Sequence, residues 1–371
     1  MKEIYLDNAS TSKINPEVVK VMKEVLLRNY GNPSSQHKLG EDSLKLITKV
    51  RKKLARELGV KPQEIIFTSG GTESNNLAIQ GLARANPKKK KIIISSVEHP
   101  SVSETCKFMK SLGYEIVEIP VNKNGILNIE KLKNSIDRNT LLVSIIHVNN
   151  VIGTIQNLKN IGKICKQKKV YFHTDAVQSF GKLKINVKDI NLDLLSASGH
   201  KIGSPKGIGI LYVQEKMKIM PLILGGGQEK NIRSGTENVA GIIGFSKALD
   251  LAKKIDKIKV IGLKNKFIEN LEKLGGKING SKEKRIFNNI HVSFGKINSE
   301  KLIHYLSERG IYASVGSACD AKKKTENKIL KSIGMSQKEI GSSIRFTLDN
   351  KTNKKDIKKV TKEIENFLKN N

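Results

Sequence analysis

The sequence predicts an α/β fold, with a large domain built on a mostly parallel seven-stranded β-sheet and a smaller α+β domain at the C-terminal end. Three observations carry this prediction. Between residues 60 and 215, short apolar runs rich in β-branched residues alternate with amphipathic stretches, as in parallel sheets covered by helices on both faces. After a long helical segment near residues 237–275 the pattern changes to a few short strands. The chain of 371 residues is also longer than one hydrophobic core usually supports.

The strands of the large domain are predicted from runs of Ile, Val and Leu bounded by polar residues. They are residues 64–68, 91–96, 115–119, 141–148, 170–174, 192–197 and 207–213. Amphipathic segments at residues 73–84, 101–112 and 160–168 lie between them and predict helices. Ligands of such folds bind beyond the carboxyl ends of the strands, so this rule locates the site before any motif is considered.

The C-terminal part is predicted to be a separate, smaller unit. Its candidate strands are residues 290–294, 311–315 and 343–348, and its candidate helices are residues 299–309 and 354–369. We place the boundary near residue 256, inside the long helical segment. The expected division is a large domain of residues 15–256 and a small domain of residues 1–14 and 257–371.

Composition excludes several classes of protein. With 38% hydrophobic and 27% charged residues, the chain is not disordered throughout. Its net charge is +32, but only nine of the 67 basic residues are arginines, which leaves 58 lysines spread along the chain. Aromatic residues make up 5% and tryptophan is absent, so stacking platforms for bases are scarce. We therefore expect no specific nucleic-acid partner.

The chain lacks the sequence features of membrane and secreted proteins. No stretch approaches about 18 uninterrupted apolar residues, and the first ten residues lack the apolar core of a secretion signal. The three cysteines, Cys106, Cys165 and Cys319, include no CxxC pair and support neither a disulfide framework nor a zinc site. We expect a cytoplasmic protein without a membrane partner, in which any cysteine chemistry depends on a single thiol.

A lysine and an aspartate follow two neighbouring candidate strands. Lys201 stands in SGHKIGSPKG (198–207), directly after an apolar strand, and Asp175 and Gln178 stand in HTDAVQ (173–178) at the end of another. A lysine that forms a Schiff base with pyridoxal phosphate needs an acidic partner for the pyridine nitrogen of the cofactor. This pair predicts a pyridoxal phosphate site.

A glycine-containing turn offers a place for the phosphate. In FTSGGTESNN (67–76) a strand runs through two glycines into a helix, and backbone amides there, helped by the Thr72 hydroxyl, form an anion site. An ordinary glycine turn explains this segment equally well when it is taken alone. The spacing is not that of a Walker loop.

Eight motifs in order give a resemblance that covers nearly the whole chain. They are SGGTESNN, EHPSV, HVNNVIGTIQ, HTDAVQSFGK, SGHKIGSPKGIG, GGGQEKNIRSGTEN, GSACD and SSIRF. In this order they resemble the cysteine desulfurases of the NifS/IscS type, which are fold type I pyridoxal phosphate enzymes. The resemblance implies that fold, pyridoxal 5'-phosphate as cofactor and a homodimer.

The resemblance also implies roles for individual residues around the cofactor. Lys201 matches the Schiff-base lysine, Asp175 the partner of the pyridine nitrogen, and Gln178 a donor to the phenolic oxygen. His99 matches a histidine that stacks on the cofactor and helps to move protons. The positions matched to the phosphate side are Gly71, Thr72, Ser198 and His200, and Thr236 matches a threonine that reaches the phosphate of the neighbouring subunit.

Further matches concern the substrate. Asn150 matches an asparagine beside the ring and the substrate, and Arg345 matches a clamp for the substrate carboxylate, a task suited to a guanidinium. Cys319 in GSACD matches the nucleophile, and nearby lysines would favour its thiolate form. No resident metal is implied, although Cys319 could serve as a transient ligand of an iron–sulfur cluster. Cys106 and Cys165, on candidate helices, are expected to be buried and inert.

The sequence departs from the family pattern at two positions. Val151 follows Asn150 where an acidic residue is common, and Asp320 follows Cys319 where Thr or Ser is common. Neither change removes a catalytic group. Both bear on acceptor recognition and on the activation of Cys319.

The activity that the resemblance implies is that of a sulfurtransferase. L-cysteine would yield L-alanine and a persulfide on Cys319, which an iron–sulfur scaffold protein or a tRNA-thiolation enzyme would accept. A selenocysteine lyase, a cysteine lyase or an aminotransferase would keep Lys201 and Asp175, but the last two could dispense with Cys319. A basic RNA-binding or scaffold protein would use the lysines and have no use for the pair of Lys201 and Asp175.

Overall fold

The computed structural model describes residues 3–295, 297–315 and 328–370. The strands of this part are β1 (Ile4–Tyr5), β2 (Ile65–Thr68), β3 (Lys91–Ser95), β4 (Glu115–Ile119), β5 (Thr140–Ser144), β6 (Tyr171–Asp175), β7 (Leu194–Ser198), β8 (Gly209–Val213), β9 (Lys277–Ile278), β10 (Asn289–Ser293), β11 (Ile311–Tyr312) and β12 (Ser343–Thr347). Its helices are α1 (Pro16–Arg28), α2 (Lys38–Leu58), α3 (Gly71–Asn76), α4 (Leu82–Ala85), α5 (Pro100–Ser111), α6 (Ile129–Ser135), α7 (Leu158–Lys168), α8 (Val187–Ile190), α9 (Val239–Lys253), α10 (Lys257–Lys273), α11 (Ser299–Glu308), α12 (Lys328–Ser332), α13 (Gln337–Gly341) and α14 (Lys354–Lys369). Helix α3 continues into α4 through a π-helical turn at Leu77–Gly81.

The large sheet has the strand order β2-β8-β7-β6-β5-β3-β4. Strands β3 to β7 run parallel to one another, whereas β8 runs antiparallel to both β7 and β2. This sheet confirms the predicted mostly parallel, seven-stranded α/β architecture. Because β3 to β7 point the same way, their carboxyl ends meet at one edge of the sheet.

Alternating side chains of the strands build two apolar layers. Ile93 packs into one cluster together with side chains from α2, α7 and α9, and its neighbours Ile92 and Ile94 pack into another with side chains from α4 and α5. A strand alternates its side chains between the two faces of a sheet, so both faces of this sheet are covered by helices. Because both faces of the sheet are covered by helices, successive residues of each strand are buried, and the strands appear in the sequence as continuous apolar runs.

The second unit contains an antiparallel sheet of order β12-β10-β9 and a parallel pair of β1 with β11. The pairing of Ile4 with Ile311 carries the N-terminal segment into this unit, where Leu6 joins its apolar cluster. The segment then returns to the large sheet, since Ser12 N donates to His200 O at 2.8 Å. The exact domain limits, 15–256 against 1–14 with 257–371, stay a prediction.

One expectation about the helices is wrong. The stretch predicted as one helix from residue 237 to 275 is two helices, α9 and α10, and the proposed boundary near residue 256 lies in the break between them, not inside a helix. Asp256 caps α10 because its carboxylate accepts the backbone N–H of Lys259 at 3.0 Å. Among the described residues, no helix is both long enough and apolar enough to span a membrane.

Candidate active site

A cavity of about 260 Å³ opens at the carboxyl ends of β6 and β7. This is the edge at which the fold class predicts ligand binding. Residues from distant parts of the sequence form its walls. The lining residues are Ala9, Ser10, Gly71, Thr72, Asn75, His99, Pro100, Ser101, Ile146, Asn150, Asp175, Val177, Gln178, Ser198, His200, Lys201 and Arg345.

Asp175 presents a buried carboxylate to the cavity from the last position of β6. Its Oδ2 accepts a hydrogen bond from Nδ2 of Asn75 at 2.8 Å, and its Oδ1 accepts one from the backbone N–H of Val177 at 2.9 Å. An ionised carboxylate offers about four lone-pair positions, so these bonds leave acceptor capacity for a ligand N–H. The two bonds fix the orientation of the carboxylate.

Lys201 closes a single 3-10 turn that follows β7. Its Nζ donates to the carbonyl oxygen of Ala9 at 2.7 Å and to that of Ser10 at 2.6 Å. The amide Nε2 of Gln178 donates to the same carbonyl of Ala9 at 2.8 Å. The N-terminal segment therefore holds both side chains at the cavity.

His99 is the N-cap of α5, where its ring is fixed by a turn. Nδ1 accepts the backbone N–H of Ser101 at 3.1 Å and lies 2.8 Å from Oγ of that residue. Because Nδ1 accepts a hydrogen bond, the proton of the neutral ring sits on Nε2. Oγ of Ser101 also accepts a hydrogen bond from Nδ2 of Asn75 at 2.8 Å. Because Asn75 also binds Asp175, this bond links His99 to Asp175 through Ser101 and Asn75.

The predicted phosphate turn has backbone geometry that depends on glycine. Gly70 has a φ of 154°, which side chains rarely allow. A Cβ on Gly71 would lie 2.5 Å from Cγ2 of Val177 in the turn after β6. The turn therefore brings the start of α3 close to the end of β6, with Thr72 and Ser198 also lining the cavity.

Arg345 reaches the cavity from β12 of the second unit, and its side chain is 2% exposed. Nη1 donates to the carbonyl oxygen of Asn150 at 2.9 Å, and Nη2 donates to Oδ1 of Asp7 at 2.7 Å and to Oγ of Ser10 at 2.6 Å. The ion pair with Asp7 balances the buried charge. The hydrogen bond from Nη1 to the carbonyl oxygen of Asn150 is a contact between the second unit and the large domain at the site.

Burial shifts the pKa of two titratable groups near the cavity in the direction that favours the neutral form. Burial raises the pKa of Glu98 to about 8, although hydrogen bonds from Ser95 and from the backbone of Ile146 oppose the rise. Burial, together with the charge of Lys201, lowers the pKa of His200 to about 4. His200 is therefore a neutral ring whose Nδ1 lies 3.2 Å from Oγ1 of Thr11.

The structure brings most of the predicted site residues into one cavity, but not all of them. Thr236 is exposed and lies outside the lining. Cys319 lies outside the described residues. Cys106 and Cys165 are buried as expected; burial raises the pKa of the Cys165 thiol to about 12 and that of Cys106 still further.

Five further residues shape the site without being predicted from sequence patterns. They are Ala9, Ser10, Asn75, Glu98 and Ser101. Asn75 lies in SGGTESNN and Ser101 in EHPSV, and their polar side chains close in sequence to Thr72 and His99 are a usable signal. Nothing local marks Ala9 and Ser10, since a chain crossing brings their carbonyl oxygens to Lys201 and the Ser10 hydroxyl to Arg345.

The groups that line the cavity fit pyridoxal phosphate. Lys201 supplies a primary amine for an aldehyde, Asp175 an acceptor for a ring N–H, and the turn at Gly71 an anion site. Oδ1 of Asn75 and Oδ1 of Asn150 are buried without a hydrogen-bond partner among the described residues. Unpaired polar atoms of this kind in a cavity wall indicate a ligand.

Comparison with known proteins gives consistent results. Residues 4–360 match the family model Aminotransferase class-V. The cysteine desulfurase IscS of Dictyoglomus turgidum is 44% identical over 364 residues, which cover 96% of this chain and 92% of that protein. IscS of Methanosarcina thermophila is 43% identical over 97% of this chain and 90% of that protein.

Solved structures agree with the sequence relatives. A NifS-like protein superposes with a TM-score of 0.94 at 34% identity over 100% of both chains. A structure of SspA in complex with cysteine superposes with a TM-score of 0.86 at 36% identity, over 94% of this chain and 99% of that one. These neighbours confirm the fold type I architecture that the motifs predicted.

Proposed function

This chain belongs to the class-V aminotransferase family and is a cysteine desulfurase, and we propose that it takes the sulfur of L-cysteine onto Cys319 and releases L-alanine. The family is pyridoxal phosphate-dependent. One observation carries the proposal: Lys201 and Asp175 line a single cavity from the ends of two adjacent parallel strands. Such a pair is what a pyridoxal phosphate site requires.

We assign the cofactor contacts to the residues that the motifs and the cavity share. Lys201 would bind the aldehyde carbon, Asp175 the ring nitrogen and Gln178 the phenolic oxygen, with the ring of His99 stacked on the cofactor. The phosphate would be held by Gly71, Thr72, Ser198 and His200. When bound, the cofactor supplies an electron sink for bond breaking at the α-carbon of the substrate.

Side chains of the protein then bind the substrate and transfer protons. Arg345 and Asn150 bind the substrate carboxylate and place the α-carbon near Lys201. The amine of Lys201, once free, accepts the α-proton as general base. The Cys319 thiolate attacks the substrate sulfur, so that a sulfur–sulfur bond forms while the bond between that sulfur and Cβ breaks. His99, which carries a proton on Nε2, helps to move protons. Protonation of the carbon atoms of the substrate then completes L-alanine.

A homodimer would complete the site through Thr236. We propose that Thr236 reaches the phosphate bound by the neighbouring subunit, because in its own subunit it is exposed and outside the cavity. Large exposed apolar side chains support a subunit contact: Leu26, Leu27 and Tyr30 at the end of α1 and Leu224 in the segment before Thr236 are 64–81% exposed.

The sulfur acceptor is proposed from the relatives named IscS. We propose transfer of the persulfide sulfur in the cytoplasm to an iron–sulfur scaffold protein or to a tRNA-thiolation enzyme, with Cys319 able to act as a transient cluster ligand during transfer. Reconstituted transfer from persulfidated enzyme to each type of acceptor distinguishes the two routes.

The test of the proposed function follows alanine and the persulfide separately. Enzyme loaded with pyridoxal phosphate is mixed with L-cysteine, alanine is quantified, and the persulfide is located by alkylation and peptide mass spectrometry. We expect one persulfide, on Cys319, and alanine in turnover amounts when a thiol acceptor is present.

The matched variants are Cys319→Ala and Cys165→Ala. The first should bind cysteine and form no persulfide, while the second removes a buried thiol and should keep alanine production. Alanine formation at the original rate by Cys319→Ala would refute the role of Cys319.

A further inference from the structure

The nitrogen of Arg345 that a substrate carboxylate needs is already occupied. Nη2 donates to Oδ1 of Asp7 at 2.7 Å and to Oγ of Ser10 at 2.6 Å. Because Nη2 carries two hydrogens, both are committed. Nε is buried without a partner in the part of the chain that the structure describes.

A carboxylate can bind a planar guanidinium through two parallel bonds along either of two edges. One edge pairs Nε with Nη2, and the other pairs Nη1 with Nη2. Both edges include Nη2. A carboxylate that binds Arg345 through two bonds therefore has to displace Asp7 or Ser10.

Ser10 is the partner that an incoming ligand meets. Ser10 and Arg345 line the cavity, whereas Asp7 does not. A hydroxyl is a neutral acceptor and binds a guanidinium less strongly than the carboxylate of Asp7 does. Oδ1 of Asp7 also accepts a hydrogen bond from Oγ of Ser10 at 2.9 Å, so the Ser10 hydroxyl can stay bonded to Asp7 after it leaves Arg345.

The same residue holds Lys201. The carbonyl oxygen of Ser10 accepts Nζ of Lys201 at 2.6 Å. A carbonyl acceptor stabilises the protonated amine, whereas the unprotonated amine is the form that reacts with a carbonyl or accepts a proton. Ser10 therefore touches the two groups that the proposed function uses for the substrate carboxylate and for the α-proton.

We propose that Ser10 is a stand-in for the substrate carboxylate and a positioning residue for Lys201. An incoming carboxylate displaces the Ser10 hydroxyl from Nη2 of Arg345, and the movement of residue 10 loosens its carbonyl from Lys201. Asp7 stays in place and orients the guanidinium. This inference rests on the proposed function, because it takes the roles of Arg345 and Lys201 from there.

The two partners of Nη2 should then respond to substitution with opposite signs. Ser10→Ala frees one hydrogen of Nη2, so we expect the KM for L-cysteine to fall by about tenfold, the lower limit for a hydrogen bond to a charged group that no longer has to be broken. Asp7→Asn removes the group that orients Arg345, so we expect KM to rise. Ser111→Ala, which removes an exposed hydroxyl on α5, is the matched control and should leave KM unchanged.

A second measurement needs neither cofactor nor turnover. Propionate serves as the carboxylate probe on the full chain without added cofactor, and calorimetry gives its affinity. Ser10→Ala should bind propionate more tightly than the unsubstituted chain, and the gain should vanish in the Ser10→Ala/Arg345→Gln double variant. The rate of reductive methylation of Lys201, read by mass spectrometry, should rise about threefold with saturating propionate.

Equal or weaker propionate binding by Ser10→Ala would overturn the stand-in role. An unchanged methylation rate of Lys201 in the unsubstituted chain would overturn the link to the lysine. If Ser10→Ala gains propionate affinity and propionate speeds methylation of Lys201 while the enzyme forms no alanine from cysteine, the proposed function fails and the role of Ser10 stands.

Discussion

Nδ2 of Asn75 lies 2.8 Å from Oδ2 of Asp175 and 2.8 Å from Oγ of Ser101, so one amide connects the carboxylate at the end of β6 with the residue that holds His99. The same amide leaves its Oδ1 buried and without a partner in the described part of the chain. Asn75 thus fixes two proposed cofactor contacts at once.

Replacing Asn75 by Ala should weaken retention of the cofactor. The variant loses a hydrogen bond to a charged acceptor, about 1.5–3 kcal/mol, which corresponds to roughly a 10- to 150-fold change in the dissociation constant. Equilibrium dialysis with absorbance detection of pyridoxal phosphate gives that constant. Asn86→Ala, at the end of α4, is the control, and an equal loss in both variants would contradict the role of Asn75.

Arg345→Lys should raise the KM for L-cysteine strongly. An ammonium cannot reproduce the planar fork, and a charge-assisted pair of this kind is worth on the order of 2–3 kcal/mol, or roughly 30- to 150-fold. Steady-state kinetics decide the matter, with neutralisation of the lysines at positions 88–90, which precede β3, as the control for the general positive field. Equal losses in the two variants would assign capture of the substrate to net charge.

The buried Glu98 predicts a specific pH dependence of stability. Its folded pKa is about 8 and its ordinary value is 4.5, so between these limits the unfolded chain loses a proton that the folded chain keeps. Stability should therefore fall as pH rises through this window, by up to about 1.4 kcal/mol per pH unit from this group. Urea unfolding should show a smaller fall for Glu98→Gln, and the exposed Glu130→Gln should keep the original slope.

The buried Lys182 predicts a dependence of opposite sign. Burial, followed by the charge of Lys201, lowers its pKa from 10.5 to about 7. Between pH 7 and 10.5 the unfolded chain binds the extra proton, so stability should rise with pH in this window, and the full cost is present below pH 7. Lys182→Met should stabilise the fold more at pH 7 than at pH 10, whereas the exposed Lys184→Met should show no such difference.

Local sequence patterns predicted the large sheet well, because buried parallel strands are continuous apolar runs. Residues 91–96 were predicted as a strand, and β3 spans Lys91–Ser95. The break between α9 and α10 escaped prediction because residues 253–257 keep helix-favouring lysines around Asp256, whose capping role appears only once the turn has formed. Of the strands after residue 275, β10 and β12 lie where they are predicted, and β11 spans only the first two residues of the predicted 311–315. The strands β1 and β9 are not predicted, because each is a two-residue segment that becomes a strand only by pairing with β11 or β10.

The site residues that directly follow strands could be predicted from the sequence. Those that meet where the chain passes between the two units could not. Lys201 and Asp175 follow β7 and β6, so the strand-end rule placed them together. Ser10 and Arg345 are 335 positions apart and meet because the segment after β1 lies beside β12, where the backbone N–H of Thr347 donates to the carbonyl oxygen of Leu6. No spacing or periodicity within the sequence encodes that contact.

The central claim is that Lys201 is the lysine that binds pyridoxal phosphate. Borohydride reduction of the loaded enzyme, followed by proteolysis and mass spectrometry, identifies the lysine that carries the reduced cofactor. We expect the added mass on the peptide that contains Lys201, together with its absence and the loss of visible absorbance in Lys201→Ala. Attachment to Lys182 or to any other lysine in the unsubstituted enzyme, or a reducible visible chromophore retained by Lys201→Ala, would contradict the account.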